Sequence, residues 1–274
     1  MNQQEELQDI INYCWDHFKK FRMKSEKYNN EEYKIIYPSI PILYFGDYKK
    51  YINSKRKIIT VGLNPSNTEF PLNNNFTRFR GGEKLYKKTY LNKEEKIYYL
   101  NILNQYFNKT SYPYKEWFKS LDYLLQCIDC SYYSNLNENF SLHTDLITPL
   151  ATKPTWSKFK KSKLSKEIKY EGIKIWHKLI KILKPDIVLM SFSKKYLNEI
   201  KYINTLYSKI FYTFMEKDNR KKRRKPFNVI LYKTNIDNKV TYFIFGNGQI
   251  KPFLISNKQK YELGKKIENN LLEY

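Results

Sequence analysis

The sequence predicts an α/β protein, a mainly parallel sheet covered by helices on both faces, and two patterns carry that reading. Short, almost wholly apolar runs of strand length alternate along the chain with longer stretches in which apolar residues recur at helical spacing. Buried parallel strands are written as unbroken apolar runs, which is what the short segments show. Neither an internal repeat nor a linker interrupts the alternation, so the 274 residues are expected to form one domain. Within it, residues 1–50 read as an N-terminal helical cap, 57–268 as the core and 217–225 as a basic loop.

Taken in order, Leu7, Ile10, Ile11, Cys14, Trp15, Phe18 and Phe21 mark an amphipathic opening helix. Ile58–Leu63 reads as a buried strand that delivers the loop starting at Asn64-Pro65-Ser66. Helices are expected at about Lys96–Phe107 and Lys115–Ile128, and a second strand at Leu142–Ile147. The clearest helix is Lys166–Leu183, which stops before Pro185. A third strand follows at Asp186–Phe192, a short helix near Lys194–Ile200, two β-rich stretches at Phe227–Tyr232 and Thr241–Phe245, and a terminal helix from about Asn257.

Composition narrows the function classes. Fifty Lys and Arg against 27 Asp and Glu leave a formal charge of +23, enough to draw polyanions to the surface by counterion release. Nucleic acid is the expected partner, although a Lys/Asn/Ile/Tyr-rich composition is also what an AT-rich genome writes. Three cysteines, Cys14, Cys127 and Cys130, are too few for a secreted disulfide scaffold, so a reducing, cytoplasmic setting is expected. Cys127 and Cys130 are spaced C-x-x-C but lack a second pair, so no metal is expected there. The absence of a long apolar run and of a basic-then-apolar start predicts no membrane span.

The loop after Ile58–Leu63 is a site candidate on topology, because ligands of open α/β sheets sit beyond the carboxyl ends of strands. Gly62 permits close backbone approach, Pro65 fixes the turn, and Asn64 offers an uncharged amide able to hold a water or a carbonyl.

Gly62-Leu63-Asn64-Pro65-Ser66 resembles the first motif of the uracil-DNA glycosylase superfamily, in the Asn form of its mismatch-specific and single-strand-selective branches. Phe76, twelve residues on, stands where those branches keep the aromatic that stacks on the flipped base, and Arg78-Phe79 completes a similar segment. Glu69-Phe70-Pro71, Pro113–Phe118, His143-Thr144-Asp145-Leu146 with Ala151–Trp156, and Lys184–Leu189 extend the likeness over residues 57 to 268. The resemblance implies a three-layer α/β/α sandwich with a central, mainly parallel four-stranded sheet, and a monofunctional DNA N-glycosylase with a pocket for a base that has left the stack. The superfamily's last motif usually places a His ahead of a Pro-Ser loop that wedges the minor groove. Here Gly246–Phe253 stands in its place, with Asn247 or Gln249 for the His and Ile250 or Phe253 for the wedge.

What the resemblance implies for chemistry follows from the reaction. Breaking an N-glycosidic bond builds negative charge on the departing base, so donors aimed at it do most of the work. The backbone near Leu63 and an amide from Asn247 or Gln249 are the expected donors, and Asn64 holds the attacking water. Base selection falls to Asp145, where uracil-removing relatives carry an Asn. An ionised Asp only accepts, so it repels uracil O4 and welcomes the amino group of a cytosine-type base. A modified cytosine in phage DNA is therefore the expected substrate in antiviral defence, with uracil in DNA repair as the other option. His143 is expected beside the pocket, either touching the base or merely hydrogen-bonded in the core. His17 and His177 are expected to be structural or surface groups.

DNA contacts are expected from Ser66, Arg78, Arg220, Arg223, Arg224, Lys225 and Lys251, the middle four within the basic run ahead of the last motif. No cofactor or metal is implied, and a monomer is expected. A catalytically inactive DNA-binding member of the same fold is the alternative, and a nuclease is disfavoured because the sequence clusters no acidic metal ligands.

Overall fold

The computed structural model describes residues 3–28, 33–108, 113–133, 137–203, 208–217, 221–248 and 252–272. It is an α/β protein whose main sheet has six strands: β1 (Ile58–Gly62), β2 (Leu142–Asp145), β3 (Ile187–Phe192), β4 (Ser208–Glu216), β5 (Lys222–Ile236) and β6 (Lys239–Asn247). Their spatial order is β2-β1-β3-β6-β5-β4. The central strand β3 pairs parallel with β1, Ile187 facing Ile58, and parallel with β6, Ile187 facing Tyr242. Every residue of β1 and β3 is buried, which is why both are written in near-continuous apolar residues.

The expected count of four strands is corrected to six. β5 runs antiparallel to β6 and β4 antiparallel to β5; the expected β-rich stretches Phe227–Tyr232 and Thr241–Phe245 fall within β5 and β6, whereas β4 and the start of β5 were not announced by periodicity. The expected basic loop at 217–225 is corrected for Lys222–Lys225, which open β5 with Glu216 facing Lys222 across the ladder; Lys217 and Lys221 lie outside the strands, and 218–220 lie outside the described residues. The physical reason is that a strand exposed along much of its length has no apolar alternation to display, and lysine-rich exposed faces read as loop. The β5–β6 connection is the two residues Asp237 and Asn238, both left-handed (φ 48° and 67°), the conformation that a two-residue hairpin turn demands.

The longer helices are α1 (Gln3–Tyr28), α2 (Lys93–Asn104), α3 (Lys115–Leu125), α4 (Ser165–Leu183) and α5 (Asn257–Ile267). The chain divides into two compact units. The first comprises 1–47, 62–113 and 143–183. In it, all seven apolar residues that marked the opening helix are at most 1% exposed, and α1 packs against α4. His17 is buried there between Thr148 Oγ1 (3.0 Å) and Glu171 (3.4 Å), and desolvation lowers its pKa to about 4. Trp176 of α4 donates its indole N–H to Thr144 Oγ1 at 3.1 Å, fixing the strand that carries His143 and Asp145. α4 ends at Leu183, two residues before Pro185, with Lys184 left-handed (φ 45°).

The second unit comprises 48–61, 114–142 and 184–274, and holds most of the sheet with α3 and α5 packed together. Ser256 caps α5 in a reciprocal capping box with Gln259. Among the described residues no helix is long and apolar enough to cross a membrane.

Candidate active site

The first unit holds the loop that the sequence singled out, and its backbone is tied down along its length. Gly62 O accepts from Leu146 N (3.1 Å), Leu63 O from Ile147 N (2.9 Å) and Pro65 O from Thr152 N (3.3 Å). Asn64 completes the tether with its side chain. Its Nδ2 donates to Pro65 O and to Thr152 Oγ1, both at 2.8 Å, and its Oδ1 accepts from Trp156 N at 3.0 Å. Both amide hydrogens are thus committed to the loop, and one Oδ1 lone pair is left to receive a hydrogen bond. Ser66 accepts from Thr68 N and starts the 3₁₀ turn Asn67–Glu69.

The side chains of β2 close on that loop. A Cβ on Gly62 would stand 2.6 Å from Asp145 Oδ1 and 3.0 Å from His143 Nε2, so only glycine lets the backbone lie against this pair. Asp145 and His143 are buried, with Oδ1 and Nε2 3.7 Å apart. Burial pushes the Asp145 carboxyl up, and the neighbouring His143 pulls it back down.

A second carboxyl joins them. Glu69, 3% exposed, accepts from Tyr106 Oη at 2.7 Å and lies 3.5 Å from Arg78 Nη1. Desolvation raises its pKa to about 7 against the pull of Arg78 and Tyr106, and the charge of Asp145 adds to the rise. Around the two carboxyls stand aromatic rings: Phe79 is stacked on Phe70 (5.3 Å), Phe45 is edge-on to Tyr106 (4.8 Å), and Phe45 lies 5.5 Å from the His143 ring. Of the two buried carboxyls, Glu69 is the one placed to exchange a proton near pH 7, while burial raises Asp145 from the usual carboxylate range.

The expected residues divide by location. Gly62, Leu63, Asn64, His143 and Asp145 come together. Phe76 is half-buried, its ring 6.0 Å from Phe70 and 5.6 Å from Tyr86, and no contact brings it to the Gly62 turn among the described residues. Arg78 donates to Thr68 O at 2.6 Å and faces Glu69, so its guanidinium is turned into the protein. In the second unit Asn247 is exposed at the end of β6. Arg224 and Lys225 are exposed on β5. Arg223 is engaged, donating to Glu216 O (3.0 Å), Leu254 O and Gln259 Oε1 (both 3.4 Å). Arg220, Gln249, Ile250 and Lys251 lie outside the described residues.

One candidate is corrected. Phe253 is fully buried, its N–H donating to Ser191 Oγ at 2.6 Å and its ring filling the space where Gly246 has no Cβ, so it is a core residue and not a wedge for DNA. The residues that the sequence reading missed are Tyr106 and, as a titrating group, Glu69. An acid directly followed by Phe70-Pro71 was the available signal for Glu69; Tyr106, 37 positions away from its partner, offered none. Among the described residues no group of three or more His, Cys, Asp or Glu is placed to hold a metal ion.

Compared with known proteins, the chain matches no family model, no curated protein and no solved structure.

Proposed function

We propose that this protein is a DNA glycosylase, which takes a base out of the stack and hydrolyses its N-glycosidic bond to leave an abasic site and free base. The observation that carries the reading is the Gly62 turn lying against the buried Asp145–His143 pair, with Glu69 and the aromatic rings beside it. The reading includes the finer fold, a three-layer α/β/α sandwich of the glycosylase type.

The chemistry fits the groups present. The C–N bond breaks with its electron pair on the base, a water oxygen bonds to the sugar carbon, and the water's proton passes to a carboxylate that returns it to solvent, from which the departing base takes up one proton. Asn64 Oδ1 retains one lone pair for that water. Asp145 meets the base edge as an acceptor, which favours the amino group of a cytosine-type base over uracil O4. His143, 3.7 Å from Asp145 Oδ1, favours the charged carboxylate against the burial that raises it. A modified cytosine, as phage DNA carries, is the preferred substrate, and DNA is the partner.

The test is release of free base from a panel of uracil-containing and modified-cytosine DNAs. Wild type should release the cytosine-type base, Asn64→Ala and Phe76→Ala should lose release, and Asp145→Asn should move the preference toward uracil. Efficient uracil excision by wild type that survives Asp145→Asn would sink the base assignment. A second reading, a DNA-binding member without catalysis, draws on the Asn64 amide being spent on the loop. It predicts DNA binding with no base released from any substrate in the panel.

A further inference from the structure

In the second unit, β6 accompanies β5 only as far as Val229, opposite Gly246, whereas β4 continues beside β5 to Lys222. Residues 222–228 with 213–216 therefore form a two-stranded arm beyond the third strand, with a register shift between Phe214 and Glu216, and the four β4 residues set its paired length at roughly 13 Å at about 3.3 Å per residue. The arm is braced. Arg223 reaches Leu254 O and Gln259 Oε1 while its guanidinium lies 5.5 Å from the Phe227 ring, and Gln259 Nε2 donates to Glu216 O at 2.8 Å. Phe214 faces Phe227 across the ladder and is buried, so the aromatic face of the arm is turned toward the first turn of α5.

Strand alternation puts Lys222 and Arg224 on the face opposite Arg223. Both are exposed, as are Lys225 and Asn228 further along the strand, and Thr213 donates to Asn228 Oδ1 at 3.0 Å. These exposed positions carry cations and an amide, which suits the phosphates and groove of a duplex. We propose that this arm is a duplex-docking element, laid into a DNA groove with Lys222 and Arg224 on the backbone phosphates. A two-stranded β-ribbon fits the major groove, about 12 Å wide. The inference rests on DNA being the partner, and it assigns the contact to a structured ribbon face from which Arg223 is withdrawn.

The experiment measures binding of an unmodified DNA duplex as a function of salt, which needs no base release. Lys222→Gln/Arg224→Gln should bind about tenfold to a hundredfold more weakly at 0.1 M salt, with the slope of log K against log[salt] reduced by about 2. Its thermal midpoint should match wild type. Lys174→Gln/Lys178→Gln, on α4, removes the same charge elsewhere and should change the slope little. An unaltered slope in the arm variant, or an equal loss in the α4 variant, overturns the proposal. So does tighter binding of a single strand with the same dependence on the arm. Arm-dependent duplex binding without base release from any substrate would instead leave this proposal standing and remove the glycosylase reading.

Discussion

Two regions of this molecule carry charge in opposite ways. Around Gly62 the charged groups are buried and each is answered: Glu69 by Tyr106 and Arg78, Asp145 by His143. On the β4–β5 arm, Lys222, Arg224 and Lys225 stand in solvent, and only Arg223 is drawn inward. Buried charge is costly unless paired, so the first arrangement fixes geometry and tunes proton affinity. Exposed charge costs little and adds little stability, so the second is suited to a partner's phosphates. Substitutions in the first region should therefore alter folding and chemistry together, and substitutions in the second should alter binding alone.

The largest expected effect is at Gly62. Gly62→Ala drives a methyl into Asp145 Oδ1 and His143 Nε2. Displacing the turn should cost on the order of 1–3 kcal/mol of stability by overpacking and about a hundredfold in single-turnover base release. A variant with wild-type unfolding and release would break the contrast between the regions.

Next comes Glu69, whose pKa is raised from 4.5 to about 7 in the fold. The folded state then binds more protons than the unfolded chain between those values, so the stabilisation is complete below about pH 4.5 and is lost as pH rises through about 7. Urea unfolding from pH 5 to pH 8 should show a decline on the order of 2–3 kcal/mol from this group, which Glu69→Gln removes. His17, lowered from 6.5 to about 4, works in the opposite sense between those values, so the wild-type-minus-variant difference is the quantity to read. An equal pH dependence in both proteins would show that Glu69 ionises as if exposed.

Smaller effects separate neighbours on the arm. Arg223→Ala should lower stability by about 1–2 kcal/mol, through loss of its hydrogen bonds and its packing on Phe227. Arg224→Ala should change stability by less than about 0.5 kcal/mol while reducing the salt slope of duplex binding by about 1. Equal behaviour of the two variants in thermal melts and binding would erase the distinction between the two faces.

The same contrast explains what could be read from the sequence. Periodicity located α1, and the helix expected at Lys166–Leu183 is found at Ser165–Leu183, because their apolar stripes meet a core. The Gly62–Ser66 loop was legible because Gly, Asn and Pro follow an apolar strand. The Glu69–Tyr106–Asp145 neighbourhood was not, since its members are distant along the chain and only folding makes them neighbours. β4 and the basic start of β5 were hidden for another reason: burial is absent over much of their length, so nothing constrains their residues to alternate. Arg223 and Arg224 look alike in the sequence and differ only in the strand face they occupy.

The two-residue connection at Asp237-Asn238 has a kinetic consequence. Closing so short a loop costs little chain entropy, whereas joining β6 to β3 requires residues about 55 positions apart to meet. The β5–β6 hairpin is therefore expected to form early and to present β6 as a template that β3 reaches later. Asn238→Gly, which keeps a left-handed turn accessible, should change the refolding rate more than the unfolding rate; the reverse partition, measured in a chevron, would place the hairpin after the transition state.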